Sequence, residues 1–281
     1  LTAVIGSVVA RADTVAGDNV RIAFRAWILP RALPRGDPSP VSLHLSGRLH
    51  PIGQKRPSAP ERVTIQVNRH AVFSTRGLPP RDGEGLTRVG LPDGTLAVLA
   101  DLCRENPGWY LGDAHFQDRG AELGFLAKLL DSAMRRNVQA HPTAAFAQQH
   151  LGSRYGKFET YVILGFREGL SPTLRLGFQR APARREWKRI IEEQDIAAMD
   201  GCFDEIPLAV GEVWCVPGGM PHAIGEGVLM LEIMEPSDLV VRCEFERAGI
   251  VVPPEGRFMK RGLDFCLDIF DYTSRSVEEI Q

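Results

Sequence analysis

"VPGGMPHAIGEG" (216–227) sets prolines and glycines around a single histidine, and its reading decides the fold. Proline holds φ and glycine reaches backbone shapes that other residues avoid, so His222 sits on a turn built to aim it. The turn lies between "EVWCV" (212–216) and "VLMLEIM" (228–234), two β-rich apolar runs that read as strands. A histidine fixed between two strands can be a hydrogen-bonded structural residue or a ligand. Its partners elsewhere in the chain separate the two.

Working outward, further short strand-like runs recur: "RVTIQV" (62–67), "VQAH" (138–141), "ETYVILGF" (159–166), "TLRLGF" (173–178) and "LVVRCEF" (239–245). Shorter strand candidates fall at 20–29 and 41–45. "TLAVLADLC" (95–103) is ambiguous, and "AELGFLAKLLDSAMRR" (121–136) can begin as helix or strand. Apolar residues at three- and four-residue spacing predict helices over 143–151 and 185–202. The pattern is a mainly β fold, a small barrel or sandwich with inserted α-helices. Residues 1–60 are a proline-rich segment of little legible order. A domain over 61–250 and a C-terminal segment over 251–281 follow.

The 281 residues are 44 % apolar and 24 % charged, as in a globular chain with a real core. A net charge of −2 supplies no electrostatic attraction for nucleic acid or an anionic membrane, and no apolar run reaches the length of a membrane span. Five widely spaced cysteines without a CxxC argue against a disulfide framework and a cysteine zinc site, so the expectation is a reducing cytoplasm. The opening "LTAVIGSVVARA" looks like the tail of a signal peptide but lacks a basic n-region. The chain begins with Leu, and the expectation is an N-terminus that is incomplete or trimmed.

Strand alternation shows which polar residues face inward. Gln139 and His141 share a face opposite Val138 and Ala140. Lys157, Glu159 and Tyr161 share another, Glu232 lies with Met230 and Met234, and Arg242 lies with Val240 and Glu244. A buried charge needs a partner or a metal. Gln139, His141, Glu159 and His222 make four N/O ligands suited to Zn²⁺ or a similar divalent metal. On residues alone, a solvated strand face at Gln139 and His141, a surface pair of Lys157 with Glu159, and a structural pair of Glu232 with Arg242 stay open.

The spacing Gly211-x5-Pro217-x-Gly219-x-x-His222 matches the second motif of the cupin superfamily, G-x5-P-x-G-x-x-H. Gln139-x-His141 followed by Glu159 resembles its first motif with Gln in place of the first His. That replacement resembles the type I mannose-6-phosphate isomerases. "FLAKLLDS…NVQAHP", "YGKFETYVIL" and "PGGMPHAIGEGVLMLEIMEPSDLVVR" are similar to that family's segments over about residues 121–247.

The resemblance implies a cupin (jelly-roll type) β-barrel and an enzyme that interconverts mannose 6-phosphate and fructose 6-phosphate, a phosphorylated hexose being its partner. It implies one zinc per chain on Gln139, His141, Glu159 and His222. Arg242 falls on the family's active-site arginine, Glu232 on the acidic residue proposed as base, and Lys128 and Lys157 on pocket lysines. Asn137 stands where the family usually has Ser beside the substrate phosphate. The family's N-terminal W-G and E-x-W elements are not recognisable, "HAVFSTRG" (70–77) being a degenerate version at best. Relatives continue past "DIFDYTSRSVEEIQ" into a second cupin domain, so the expectation is a sequence incomplete at that end too. A non-catalytic metal- and sugar-binding cupin, or another cupin metalloenzyme such as an iron-dependent dioxygenase, are the alternatives.

Overall fold

Alternate residues of Val228–Met234 are buried while those between them are half-buried. This period of two marks a strand with one face on a core. The structure, a computed structural model, describes residues 86–88 and 95–281 in full, and residues 24–27, 41–47, 65–67, 71–73, 89 and 90 as backbone only. By its internal contacts the chain divides into two units, Leu1–Gly124 and Phe125–Gln281.

The first unit holds strands β1 (Phe24–Trp27), β2 (Val41–Gly47), β3 (Ile65–Val67), β4 (Ala71–Phe73), β5 (Arg88–Gly90) and β6 (Leu96–Val98). Five of them form an antiparallel sheet in the order β1-β2-β3-β5-β6. Helices α1 (Leu99–Glu105), α2 (Pro107–Tyr110) and α3 (Asp113–Arg119) follow. The ambiguous run 95–103 is both strand and helix: β6 passes directly into α1, whose Leu99 and Cys103 are buried one turn apart. Most of the proline-rich segment 1–60, and the side chains of 70–77, lie outside the described residues.

The second unit contains β7 (Leu126–Asp131), β8 (Gln139–Ala140), α4 (Ala144–His150), β9 (Glu159–Phe166) and β10 (Thr173–Leu176). These are followed by α5 (Arg184–Glu193), α6 (Ile196–Asp200), β11 (Ile206–Pro207), β12 (Val213–Val216), β13 (His222–Ile224), β14 (Val228–Met234) and β15 (Val241–Arg242). Within the unit β12-β9-β14-β7 run side by side in one antiparallel sheet, and β11-β10-β13-β8-β15 form another. Tyr161, Ile163, Trp214, Val216, Val228 and Met230 of the first sheet meet Leu174, Leu176, Ile206 and Ile224 of the second in one buried cluster. The two sheets therefore pack face to face. The opposite face of the second sheet, with Val138, Ala140, Ala223 and Val241, is covered by α5 and by Cys266, Leu267, Ile269 and Phe270. Residues 251–281, read separately in the sequence, thus pack into the same unit.

Two local expectations are corrected. The helix predicted over 185–202 is two helices, because Gln194 turns left-handed (φ 52°). Its side-chain amide donates to the Ile191 and Cys243 carbonyls and accepts from Phe245 N, and Asp195 then caps α6 through Ala198 N. The strand predicted over 239–245 pairs only at Val241–Arg242, so the alternation linking Arg242 to Glu244 does not extend that far.

Trp187 of α5 is fully buried, with its ring edge-on to Phe178 at 5.1 Å and to Phe270 at 5.9 Å. Trp187→Ala is expected to destabilise the second unit by about 3–5 kcal/mol. A denaturant midpoint shift under 1 kcal/mol would show that α5 contributes little to this core.

Candidate metal centre

Cross-strand partners share a face of a sheet, and two rows of such partners build the site. On one sheet Arg242 of β15 lies opposite Gln139 of β8, which lies opposite His222 of β13. On the other, Tyr161 of β9 lies opposite Glu232 of β14, which lies opposite Lys128 of β7. Glu159 opens β9 two residues before Tyr161 and points the same way. The rows meet at Glu159: its Oε1 is 3.3 Å from His141 Nε2, and its Oε2 is 3.6 Å from His222 Nε2.

The backbone behind the three candidate ligands is tied at one crossing. Gly219 N–H donates to the His141 carbonyl at 2.7 Å, and Lys157 N–H to the Pro142 carbonyl at 3.0 Å. Gly156 is required by that approach, since a Cβ there would lie 2.5 Å from Pro142 O and 2.4 Å from Ala144 N. Gly219 sits at φ +92°, which L side chains rarely adopt. The proline-glycine turn of the opening stretch therefore locks the His222 arm onto the His141 arm.

His141, Glu159 and His222 are almost fully buried and offer ligand atoms that all lie within 4.8 Å of one another, a group that could hold a metal ion. His141 Nδ1–H donates to Leu239 O at 2.8 Å and His222 Nδ1–H to Met220 O at 3.0 Å. A carbonyl can only accept, so both rings keep the Nδ1–H tautomer and turn the Nε2 lone pair toward Glu159, as metal-binding histidines do. Neither His141 Nε2 nor Glu159 Oε1 completes a hydrogen bond. Two buried polar atoms left without such partners and facing each other fit a divalent cation between them. Gln139 Nε2 donates to His222 Nε2 at 3.3 Å and completes the group of four.

The electrostatics follow from burial and neighbours. Burial, with the Lys157 charge, pushes His141 down to about 4, and burial also lowers His222. Both rings are thus neutral, the form that binds metal. Burial alone would raise the Glu159 carboxyl, but the Lys157 charge and its pairing with His141 hold it well below the usual range. Lys157 Nζ stands 3.1 Å from Glu159 Oε1. Glu232 is 5 % exposed and moves the other way: burial and the Glu159 charge raise it, against Lys128 and Lys157.

The remaining sequence-selected residues surround this group. Lys128 Nζ pairs with Glu232 Oε2 at 3.2 Å, so Glu232 takes Lys128 rather than Arg242 as its ionic partner. Arg242 is half-buried and donates to Gly256 O at 2.6 Å. Asn137 donates its amide to Glu244 O at 2.9 Å. Glu244, placed by alternation beside Arg242, instead forms a buried ion pair with Arg135 at 3.1 Å. Lys157 and Glu159 form a buried pair, not a surface one. In the sequence Tyr161 is only a face-mate of Glu159; that its hydroxyl reaches the carboxylate is a property of the folded site.

Two antiparallel sheets facing each other, with a buried His-Glu-His group between them, form a cupin-type fold with a candidate metal centre. The comparisons narrow the class, and the resemblance read from the motifs is borne out. The chain is similar to the mannose-6-phosphate isomerase of Streptococcus mutans, 33 % identical over 123 residues, 43 % of this chain and 37 % of that protein. It thus spans less than half the length of that relative. The crystal structure of the mannose 6-phosphate isomerase from Bacillus subtilis matches with a TM-score of 0.53 and 21 % identity, over 76 % of this chain and 60 % of that one. A zinc-bound crystal structure of mannose 6-phosphate isomerase matches with a TM-score of 0.53 and 17 % identity, over 76 % and 69 % of the two chains. These likenesses establish the cupin fold. No protein-family model matches the chain. Among the described residues, no helix is long and apolar enough to cross a membrane.

Proposed function

We propose that this chain carries the catalytic centre of a zinc-dependent aldose-ketose isomerase that interconverts mannose 6-phosphate and fructose 6-phosphate. The observation that carries the reading is a buried His141–Glu159–His222 group beside a second buried carboxylate, Glu232, whose pKa is raised. Similarity to mannose-6-phosphate isomerases supports the substrate. One zinc would be held by His141 Nε2, His222 Nε2, Glu159 and Gln139, the last after a half-turn of its amide to present oxygen. When bound, zinc would polarise the sugar carbonyl and stabilise the charge that develops on its oxygen.

The chain's own residues would do the rest. Glu232 moves the proton between C2 and C1 as the sugar passes through an enediol or enediolate. Its carboxyl, raised above the usual glutamate range by burial and by Glu159, would accept that proton and return it. Lys128, 3.2 Å from Glu232, and Asn137 bind substrate. Lys157 balances Glu159, and Arg242 neutralises negative charge on the intermediate or the phosphate. Five free cysteines fit a cytoplasmic setting.

The test is a coupled assay for fructose 6-phosphate formed from mannose 6-phosphate, run on zinc-replete and chelator-stripped protein. Turnover that disappears on stripping and returns with zinc is expected. A folded, zinc-loaded protein that leaves mannose 6-phosphate unchanged would overturn the isomerase reading.

A further inference from the structure

The Tyr161 side chain lies wholly inside the core between the two sheets, among Ile163, Trp214 and Met230. A buried tyrosine hydroxyl needs a partner. The partner here is a carboxylate: Tyr161 O–H donates to Glu159 Oε2 at 2.5 Å, while its ring stands edge-on to His222 with centroids 6.4 Å apart. The two oxygens of Glu159 are therefore unequal. Oε2 is held by the hydroxyl, whereas Oε1 completes no hydrogen bond and faces His141 Nε2 at 3.3 Å and the Lys157 ammonium at 3.1 Å.

We infer that Tyr161 is a positioning residue of the metal centre, anchoring Glu159 Oε2 so that the carboxylate ligates through Oε1 alone. The inference rests on the metal reading above. A charge-assisted hydrogen bond in a dry core is strong and directional, so it fixes the carboxylate rotamer before the metal arrives. It also leaves one fewer metal position filled by protein than two-oxygen ligation would, and so one more for substrate oxygens. Strand order makes this possible: β9 presents Glu159 and Tyr161 on one face, and the tyrosine is long enough to reach back to the carboxylate.

Tyr161→Phe removes one oxygen and keeps the packed ring, so the variant separates positioning from packing. Zinc affinity, read by competition with a chromophoric chelator, is expected to fall by about 10–100-fold. Melting of the chelator-treated protein reports the packing contribution separately, and a purely structural role would move that melt and not the affinity. A folded Phe variant that binds zinc as tightly as the wild type overturns the inference while leaving the metal reading intact. A wild-type protein that takes up no zinc overturns both. Independently of the variant, a zinc-soaked crystal of the wild-type protein should show one Glu159 oxygen on the metal. Two oxygens there, with the tyrosine bond broken, would also overturn the inference.

Discussion

Glu232→Gln is expected to lower turnover by on the order of 10²-fold or more while zinc stays bound, as loss of a general base predicts. Glutamine keeps the volume and loses the titrating oxygen. The carboxylate it replaces is buried beside Glu159, where ionisation is disfavoured, so the exchange removes a charge that the fold tolerates poorly. Sign matters for the pH profile. A carboxyl raised in the folded state binds its proton to higher pH than it does in the unfolded chain, so Glu232 weighs against folding once pH rises through its folded value. The variant should therefore fold at neutral pH, and the rate of the wild type should fall on the acid side above the usual glutamate range. Steady-state kinetics with metal analysis of the same preparation check both. A near-normal kcat in a zinc-loaded Gln variant would remove Glu232 from proton transfer.

Loss of metal is the second large effect. His222→Ala deletes a ring that is fully buried, holds its tautomer through Met220 O, and receives the Gln139 amide. It takes away one ligand directly and leaves Gln139 without its partner. Zinc affinity should drop by more than the roughly 10–100-fold that loss of an outer-shell partner produces, and turnover should fall to background. The measurement is zinc content after dialysis against a weak chelator, with far-ultraviolet circular dichroism to show that the sheets persist. Retention of stoichiometric zinc in the folded variant would place the metal elsewhere.

Much of this site is legible in the sequence. Period-two alternation put Gln139 with His141, and Glu159 with Tyr161, on single faces, because a strand leaves no other choice. The buried pattern of β14 agrees residue for residue, with Glu232 between Met230 and Met234. Alternation failed where pairing stopped. Past Arg242 the chain leaves the ladder, and Glu244 turns into a buried pair with Arg135 instead of joining the site. The helix over 185–202 failed for a related reason: a 3.6-residue apolar period continues through Gln194, and nothing local announces that its amide will be captured by Cys243 and Phe245, some fifty residues away.

Sequence by itself therefore determined the β class and placed four candidate ligands on inward strand faces. Residue chemistry, spacing and one-face alternation are local properties of a strand and a tight turn. Only the tertiary structure decided which oxygen of Glu159 is anchored, that Lys128 rather than Arg242 partners Glu232, and that Gly156 and the 217–219 turn close on the His141 backbone. Those are contacts between segments distant in the chain, set by how two sheets face each other. Distance and direction across a core are not encoded in any one strand's periodicity.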